Sequence, residues 1–459
     1  MACLILLTGC ATAEKNRHPE KAESASRETT VKLPAPYSSV TLGAEGRYLI
    51  FYLKTSRQIA ILDVTKTALV HTIAGVTEDV LPTAGRDELM LVFPGQKLIQ
   101  RWSLKSFKRE KVAPLPGKGT THTALMGNSS QGPLLVAAED AHLVDTHTMK
   151  PIALKGRIPG GASRHTPAMC ISSDGGTVTS IPRGVGPVAY EHMTLNGDAT
   201  TVKSFAATSH AIRWAQPNAD GKLIFMPGGG VYSGNLEQQP AKWLEGSTIF
   251  PTVDPGYFIS MRFGKDGENA EAVHMAICTA ADRRAVHTVV GFKEMALHGN
   301  TNARRSIAEH LSYGEHRFHY IPWAGVLVSL HYDNQHVTLR RFNLMQALKN
   351  SGQDYLFVDS VPPIDVTRRD TLKYQVKVQS KHRVSKLTLE SGPQGMKISR
   401  RGLVTWNVTP GFSGNMAQGI VGIADKKGNN ILHSFRLKIL DGIRQDPREK
   451  TDKNRTDGE

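Results

Sequence analysis

The feature that most constrains this chain is a recurrence. A turn cluster of Gly with Asp, Glu, Pro or Lys is followed by a short apolar run, and the pair returns along the first 330 residues. It is clearest at Glu45-Gly46-Arg47 before 48–53, Gly85-Arg86-Asp87 before 89–93 and Gln131-Gly132-Pro133 before 134–138. It continues at Asp174-Gly175-Gly176 before 178–181, Asp220-Gly221-Lys222 before 223–226, Asp254-Pro255-Gly256 before 257–261 and Ala324-Gly325 before 326–330. The runs are four to seven residues long and bounded by turn residues, which is strand behaviour, and sustained helical periodicity is missing. The first unit reads in full as strands at 39–42, 48–53, 58–64 and 68–73 joined by tight turns.

From Tyr48 to Val326 the six steps average about 46 residues, although the last two are uneven at 34 and 69. A four-stranded unit of that length cannot bury both faces alone, so neighbours must stack, and the stack must close or leave a raw edge. The period is that of a β-propeller blade. The expectation is an all-β chain with a seven-bladed propeller over 36–360, closed by a strand from either 354–358 or Val31-Lys32-Leu33. The ending Asp63-Val64-Thr65-Lys66-Thr67 resembles YVTN-type and quinoprotein-like propeller repeats, and the absence of regular Gly-His and Trp-Asp pairs sets it apart from true WD40 repeats. Trp102 and Trp214 read as packing within blades, not as the floor of a quinone site.

Residues 361–440 form a second unit. Alternating runs at 374–378, 387–389, 396–398, 403–406, 420–424 and 434–439 make six or seven strands in 80 residues, a small Ig-like β-sandwich. The turn Gly392-Pro393-Gln394-Gly395-Met396, the strand Gly402-Leu403-Val404-Thr405-Trp406 and the hairpin Asp425 to Gly428 resemble the bacterial putative-Ig and cadherin-like domains. Met396 and Trp406 belong in its core, and Gly402 in a turn that a side chain would strain. Asp365, Asp370, Glu390 and Asp425 are too dispersed for a cadherin-type calcium site.

At the start, Leu7-Thr8-Gly9-Cys10 closes an apolar run and resembles the bacterial lipobox, which implies lipid attachment at Cys10. Residues 1–10 then read as the end of a truncated lipoprotein signal, since only nine residues precede the cysteine. Residues 11–35 are polar and charged, as a flexible tether is, and 441–459 read as a disordered tail. The order of lipobox, propeller and Ig-like domain resembles envelope proteins of planctomycete-type bacteria. That resemblance implies a membrane-anchored location facing periplasm or exterior and carries no assigned reaction.

The chain has 56 Lys and Arg against 41 Asp and Glu, a formal charge of +15, so anionic partners are worth considering. The positives read as scattered singles and pairs with no nucleic-acid module, which argues against nucleic acid. Four cysteines without a Cys-x-x-Cys pair give neither a disulfide framework nor a zinc signature, and Cys170 and Cys278 read as free thiols. There is no Gly-x-Ser-x-Gly elbow, and Gly228-Gly229-Gly230 lacks the Lys-Ser/Thr of a phosphate loop, so it reads as a turn.

The densest polar chemistry runs from His298 to His336. His310, His316 and His319 are its candidate metal ligands, with His331 and His336 beyond, although their spacing matches no established zinc pattern and 319–330 reads as strand. The leading expectation is a non-enzymatic envelope scaffold that offers a propeller face to a protein or glycan ligand and needs no cofactor. The alternatives are an enzyme with a channel-mouth site in 298–336, or a basic binder of anionic surface polymer.

Overall fold

The computed structural model describes residues 28–159, 168–181, 188–207, 214–234, 238, 244–263, 273–280, 283, 285–290, 317–350, 352, 354–358, 360, 362–363 and 365–440. Cys10, His310 and His316 lie outside them. The chain is all-β, and the one α-helix among the described residues is Leu344–Asn350.

Every strand of the first unit falls where the sequence places it, at Ser39–Gly43, Tyr48–Leu53, Gln58–Asp63 and Ala68–Ala74, paired antiparallel in that order. Tyr48–Leu53 is buried at all six positions. Successive side chains on a strand point to opposite faces, so this strand serves two cores. Leu49, Phe51 and Leu53 enter one cluster, and Tyr48, Ile50 and Tyr52 another.

That two-sided burial organises the whole body, whose described residues form seven small antiparallel sheets. The second strands of the later sheets are Glu88–Phe93, Leu134–Ala137, Thr177–Ile181, Leu223–Met226, Tyr257–Phe263 and Val326–Leu330. Each neighbouring pair of sheets shares its own apolar cluster, from Ile50 with Leu91 between the first and second to Met261 with Phe318 between the sixth and seventh. The seventh cluster joins Val328 and Leu330 of the last sheet to Leu49 and Phe51 of the first, so the series returns on itself. A sheet flanked on both faces by its neighbours explains why these strands read as continuous apolar runs.

The closing strand is Glu28–Lys32, which lies antiparallel on His336–Arg341 with Val31 opposite Val337. Of the two closing segments the sequence allows, the one at Val31 closes the last sheet. Residues 28–32, read in the sequence as tether, are therefore part of a sheet. Leu356–Val358, the other option, pairs with Val378–Ser380 of the terminal module. The span 319–330, read as one strand, is a hairpin instead. Phe318–Ile321 and Val326–Leu330 flank a 3-10 turn at Pro322–Ala324, because Pro322 has no N–H for a ladder and Gly325 takes a left-handed φ of 57°.

The terminal module packs two sheets face to face. One orders Asp365–Thr367, Asn430–Leu440, Met416–Asp425 and Val384–Ser391; the other orders Thr371–Gln375, Leu403–Asn407 and Lys397–Ile398. Between them lie Met396, Val404, Trp406, Val421, Phe435 and Leu437. Trp406 donates its indole N–H to the Gln394 carbonyl at 3.2 Å and meets Phe412 edge-on at 5.2 Å. Gly402 adopts φ 84°, and a Cβ there would stand 2.8 Å from the Val376 carbonyl oxygen. Trp214 is fully buried between the fifth and sixth sheets, Trp102 packs partly buried against the cluster of the first two, and Cys170 and Cys278 are free thiols.

Candidate functional site

The strands of the body end in two rims of loops. One rim carries the turns between first and second strands of each sheet; the opposite rim carries the turns between second and third strands and the links from sheet to sheet.

The first rim is stitched together by its backbone. Ala44 N–H reaches the Gly85 carbonyl, Glu45 N–H the Asn128 carbonyl, Ser129 N–H the Ser173 carbonyl and Asp174 N–H the Ala219 carbonyl, each at 2.8–3.0 Å. Asp63, 1% exposed, anchors the first sheet there. It accepts from Arg47 Nε at 3.1 Å and Nη2 at 3.0 Å, and from the Thr65 N–H at 2.9 Å and hydroxyl at 2.6 Å. Burial alone would raise the Asp63 carboxyl, and these bonds hold it below the ordinary carboxylate range instead.

The terminal module meets this same rim. Lys222 Nζ donates to the Ser434 carbonyl at 3.3 Å, and the chain at Gly197 passes so near Asn415 that a Cβ there would stand 2.0 Å from its amide nitrogen. Arg436 acts electrostatically on Asp174, Lys438 on Asp145, and both Lys222 and Asp220 on His433. His433 pairs with the Tyr374 hydroxyl at 3.0 Å; burial, with a smaller push from Lys222, lowers its pKa to about 4.

The opposite rim has no contact of this kind with the module among the described residues, and its loops grip one another. Arg57 pairs with Glu78 at 2.9 Å, the Thr77 hydroxyl donates to Asp79 at 2.6 Å, and Asp79 accepts the Gly95 N–H at 2.5 Å. Lys97 donates to the Gly119 carbonyl, Asp140 accepts the Lys118 N–H at 3.0 Å, and His142 lies 3.0 Å from Asp140. These links run from the first sheet to the third, so the loops form one braced surface.

On the seventh sheet the same rim carries His331, Asp333 and His336, whose ligand atoms lie within 4.8 Å of one another. Of the histidines the sequence singled out as ligands, only His319 is described, and it is buried in Phe318–Ile321, away from this turn. The structure thus gathers His331 and His336, which the sequence left at the margin. The turn at 331–336 brings them together by folding His336 back on Asp333.

Each member of the cluster already holds the turn. Asp333 Oδ1 accepts the N–H groups of Gln335 at 2.8 Å and His336 at 3.0 Å, while its Oδ2 meets His336 Nδ1 at 2.5 Å. His331 Nε2 lies 2.7 Å from the Thr338 hydroxyl. Burial would raise Asp333, but the bonds from Gln335 and His336 outweigh it and bring its pKa to about 2. Arg317 also joins this turn, donating to the His331 carbonyl at 2.8 Å and to Asn334 Oδ1 at 2.9 Å. A permanent guanidinium beside the turn opposes a divalent ion, so the arrangement accounts for itself as a clip that fixes the loop.

No family model matches the chain, and no curated protein matches it. Among solved structures it is similar to the β-propeller domain of Cps50 (Swd1) from Myceliophteria thermophila, at 10% identity and a TM-score of 0.43, covering 69% of this chain and 98% of that one. A chain of the mitotic checkpoint complex matches at 10% identity and 0.45, over 75% and 100%. The Dos1 propeller matches at 10% and 0.42, over 68% and 83%. These neighbours are β-propellers. The ring described above rests on this chain's own strand pairing and clusters.

Proposed function

We propose that this chain is a seven-bladed β-propeller followed by an Ig-like module, acting as a non-enzymatic scaffold of the cell envelope that holds a protein or glycan ligand. The observation that carries the reading is the asymmetry of the two rims. The module's hydrogen bond, close approach and electrostatic influence fall on the rim of Asp145, Asp174, Gly197 and Lys222, and among the described residues none falls on the braced rim of Arg57, Lys97, Asp140 and His336. A rigid set of loops on a stable body suits recognition, because little order has to be imposed on binding.

The envelope location rests on the lipobox-like Leu7 to Cys10, with Cys10 as the lipidated residue and the polar segment after it as spacer. A catalytic reading would need groups poised for reaction. The described histidine cluster is instead spent on holding its own turn, which favours binding over chemistry.

The test compares two sets of variants in capture from native envelope extract. R57A/K97A and H336A alter the braced rim; K222A with N415A alters the junction between the module and the rim beneath it. Loss of a captured partner in the first set alone supports the reading. Loss in the second set alone places the ligand elsewhere and overturns it.

A further inference from the structure

The positive charge is unevenly distributed along the chain, and the fold brings part of it onto one face. Between Asp365 and Leu440 there are fourteen Lys and Arg against four Asp and Glu, a net +10 of the chain's +15 in about one sixth of its length. The module's sheet of Thr371–Gln375, Leu403–Asn407 and Lys397–Ile398 turns Leu372, Tyr374, Val404 and Trp406 inward. Strict alternation therefore turns Lys373 and Lys397 outward, and the register puts both opposite Thr405 in a single row. The two lysines are two strands apart, about 10 Å.

The turn at 399–402 adds Arg400 and Arg401, both exposed, and the Gln375 amide donates to the Arg401 carbonyl at 2.7 Å, which holds this turn beside the row. Lys377, also exposed, follows at the same end. No Asp or Glu occurs in these three strands or in the turn. The module's described ion pairs form elsewhere, where Lys381 and Lys427 meet Asp354. Five cations thus lie on one face and its bordering turn, none of them in a described ion pair, and their summed positive potential favours an anion there.

We infer that this face binds a linear anionic polysaccharide. Cations about 10 Å apart suit a polymer whose charges repeat, and Thr405 lies between the two lysines as a hydrogen-bonding group for a sugar hydroxyl. The face has no exposed aromatic side chain on which bases would stack, which disfavours single-stranded nucleic acid. It also has no exposed large apolar side chain to enter a bilayer, since Leu432 lies on the other sheet. The inference does not depend on the braced rim of the propeller.

The test measures binding of the full chain to dextran sulfate, with neutral dextran, vesicles of 30% phosphatidylglycerol in phosphatidylcholine, and a thirty-residue oligo-dT as comparisons. K373E/K397E/R400E/R401E removes the face; K66E/K105E/K108E/K349E makes the same change in charge at exposed sites on the body, and equal melting temperatures confirm that both variants fold. The expected result is salt-sensitive binding to dextran sulfate that the first variant weakens at least tenfold and the second less than threefold. Equal weakening by both variants, or no binding at low salt, overturns the site. Tighter binding to the vesicles or to oligo-dT at equal anion concentration overturns the polysaccharide assignment. R57A/K97A leaves dextran sulfate binding unchanged, which separates this face from the rim.

Discussion

Thr30 and Thr338 stand opposite each other in the last sheet of the body and join their hydroxyls at 2.9 Å across 308 positions of chain. Around them Leu33 is 1% exposed and Leu330 fully buried, both in the cluster that ties the seventh sheet to the first. Closure at a single long-range seam makes that seam sensitive to loss of volume. Leu330→Ala should cost about 2–5 kcal/mol, read as a lower denaturant midpoint, whereas Lys66→Ala, exposed in the turn after Asp63, should stay within about 0.5 kcal/mol of the parent.

Trp406 fills the terminal module and is 2% exposed. Replacing it with alanine should cost about 3–5 kcal/mol in the module, measured by circular dichroism because the substitution removes a fluorophore. Trp323, 48% exposed, should tolerate the same change with a loss of about 1 kcal/mol or less.

His433 sits at the junction with the body, and burial holds its pKa at about 4, below its ordinary 6.5. Between those values the unfolded chain binds a proton that the folded chain does not, so stability should fall as pH drops from 6.5 to 4. The loss is up to about 3 kcal/mol. Urea midpoints at pH 7 and pH 4.5 should show this fall, and His433→Gln should flatten it.

Asp63 and Asp333 act at lower pH. Both are held below the ordinary carboxylate value, so their contribution is complete above about pH 4 and fades as pH falls through their folded pKa, about 2 for Asp333. Asp63→Asn should remove part of the acid sensitivity and cost about 1–3 kcal/mol at pH 7, because Arg47 and Thr65 lose a charged acceptor.

Much of the fold was legible because its strands are short, apolar and punctuated. Tyr48–Leu53 and Leu223–Met226 could be placed from Gly-containing turns and unbroken apolar runs. Glu28–Lys32 was harder to place, since ETTVK is polar and half exposed at a sheet edge, and it looks like tether until its partner 308 positions away is known. The candidate sites were legible only in part. Spacing drew attention to His319, whereas the cluster depends on the turn that folds His336 back on Asp333 at 2.5 Å. The basic face was invisible for a related reason: Lys373 and Lys397 are distant in sequence, and only strand register puts them opposite the same Thr405.

The central claim is that the body closes on itself through Glu28–Lys32. Amide hydrogen exchange on the full chain tests it most directly. Closure predicts protection at 29–31 and 337–339 approaching that of the buried strand Tyr48–Leu53. Exchange at 29–31 as fast as in an unstructured peptide would contradict it.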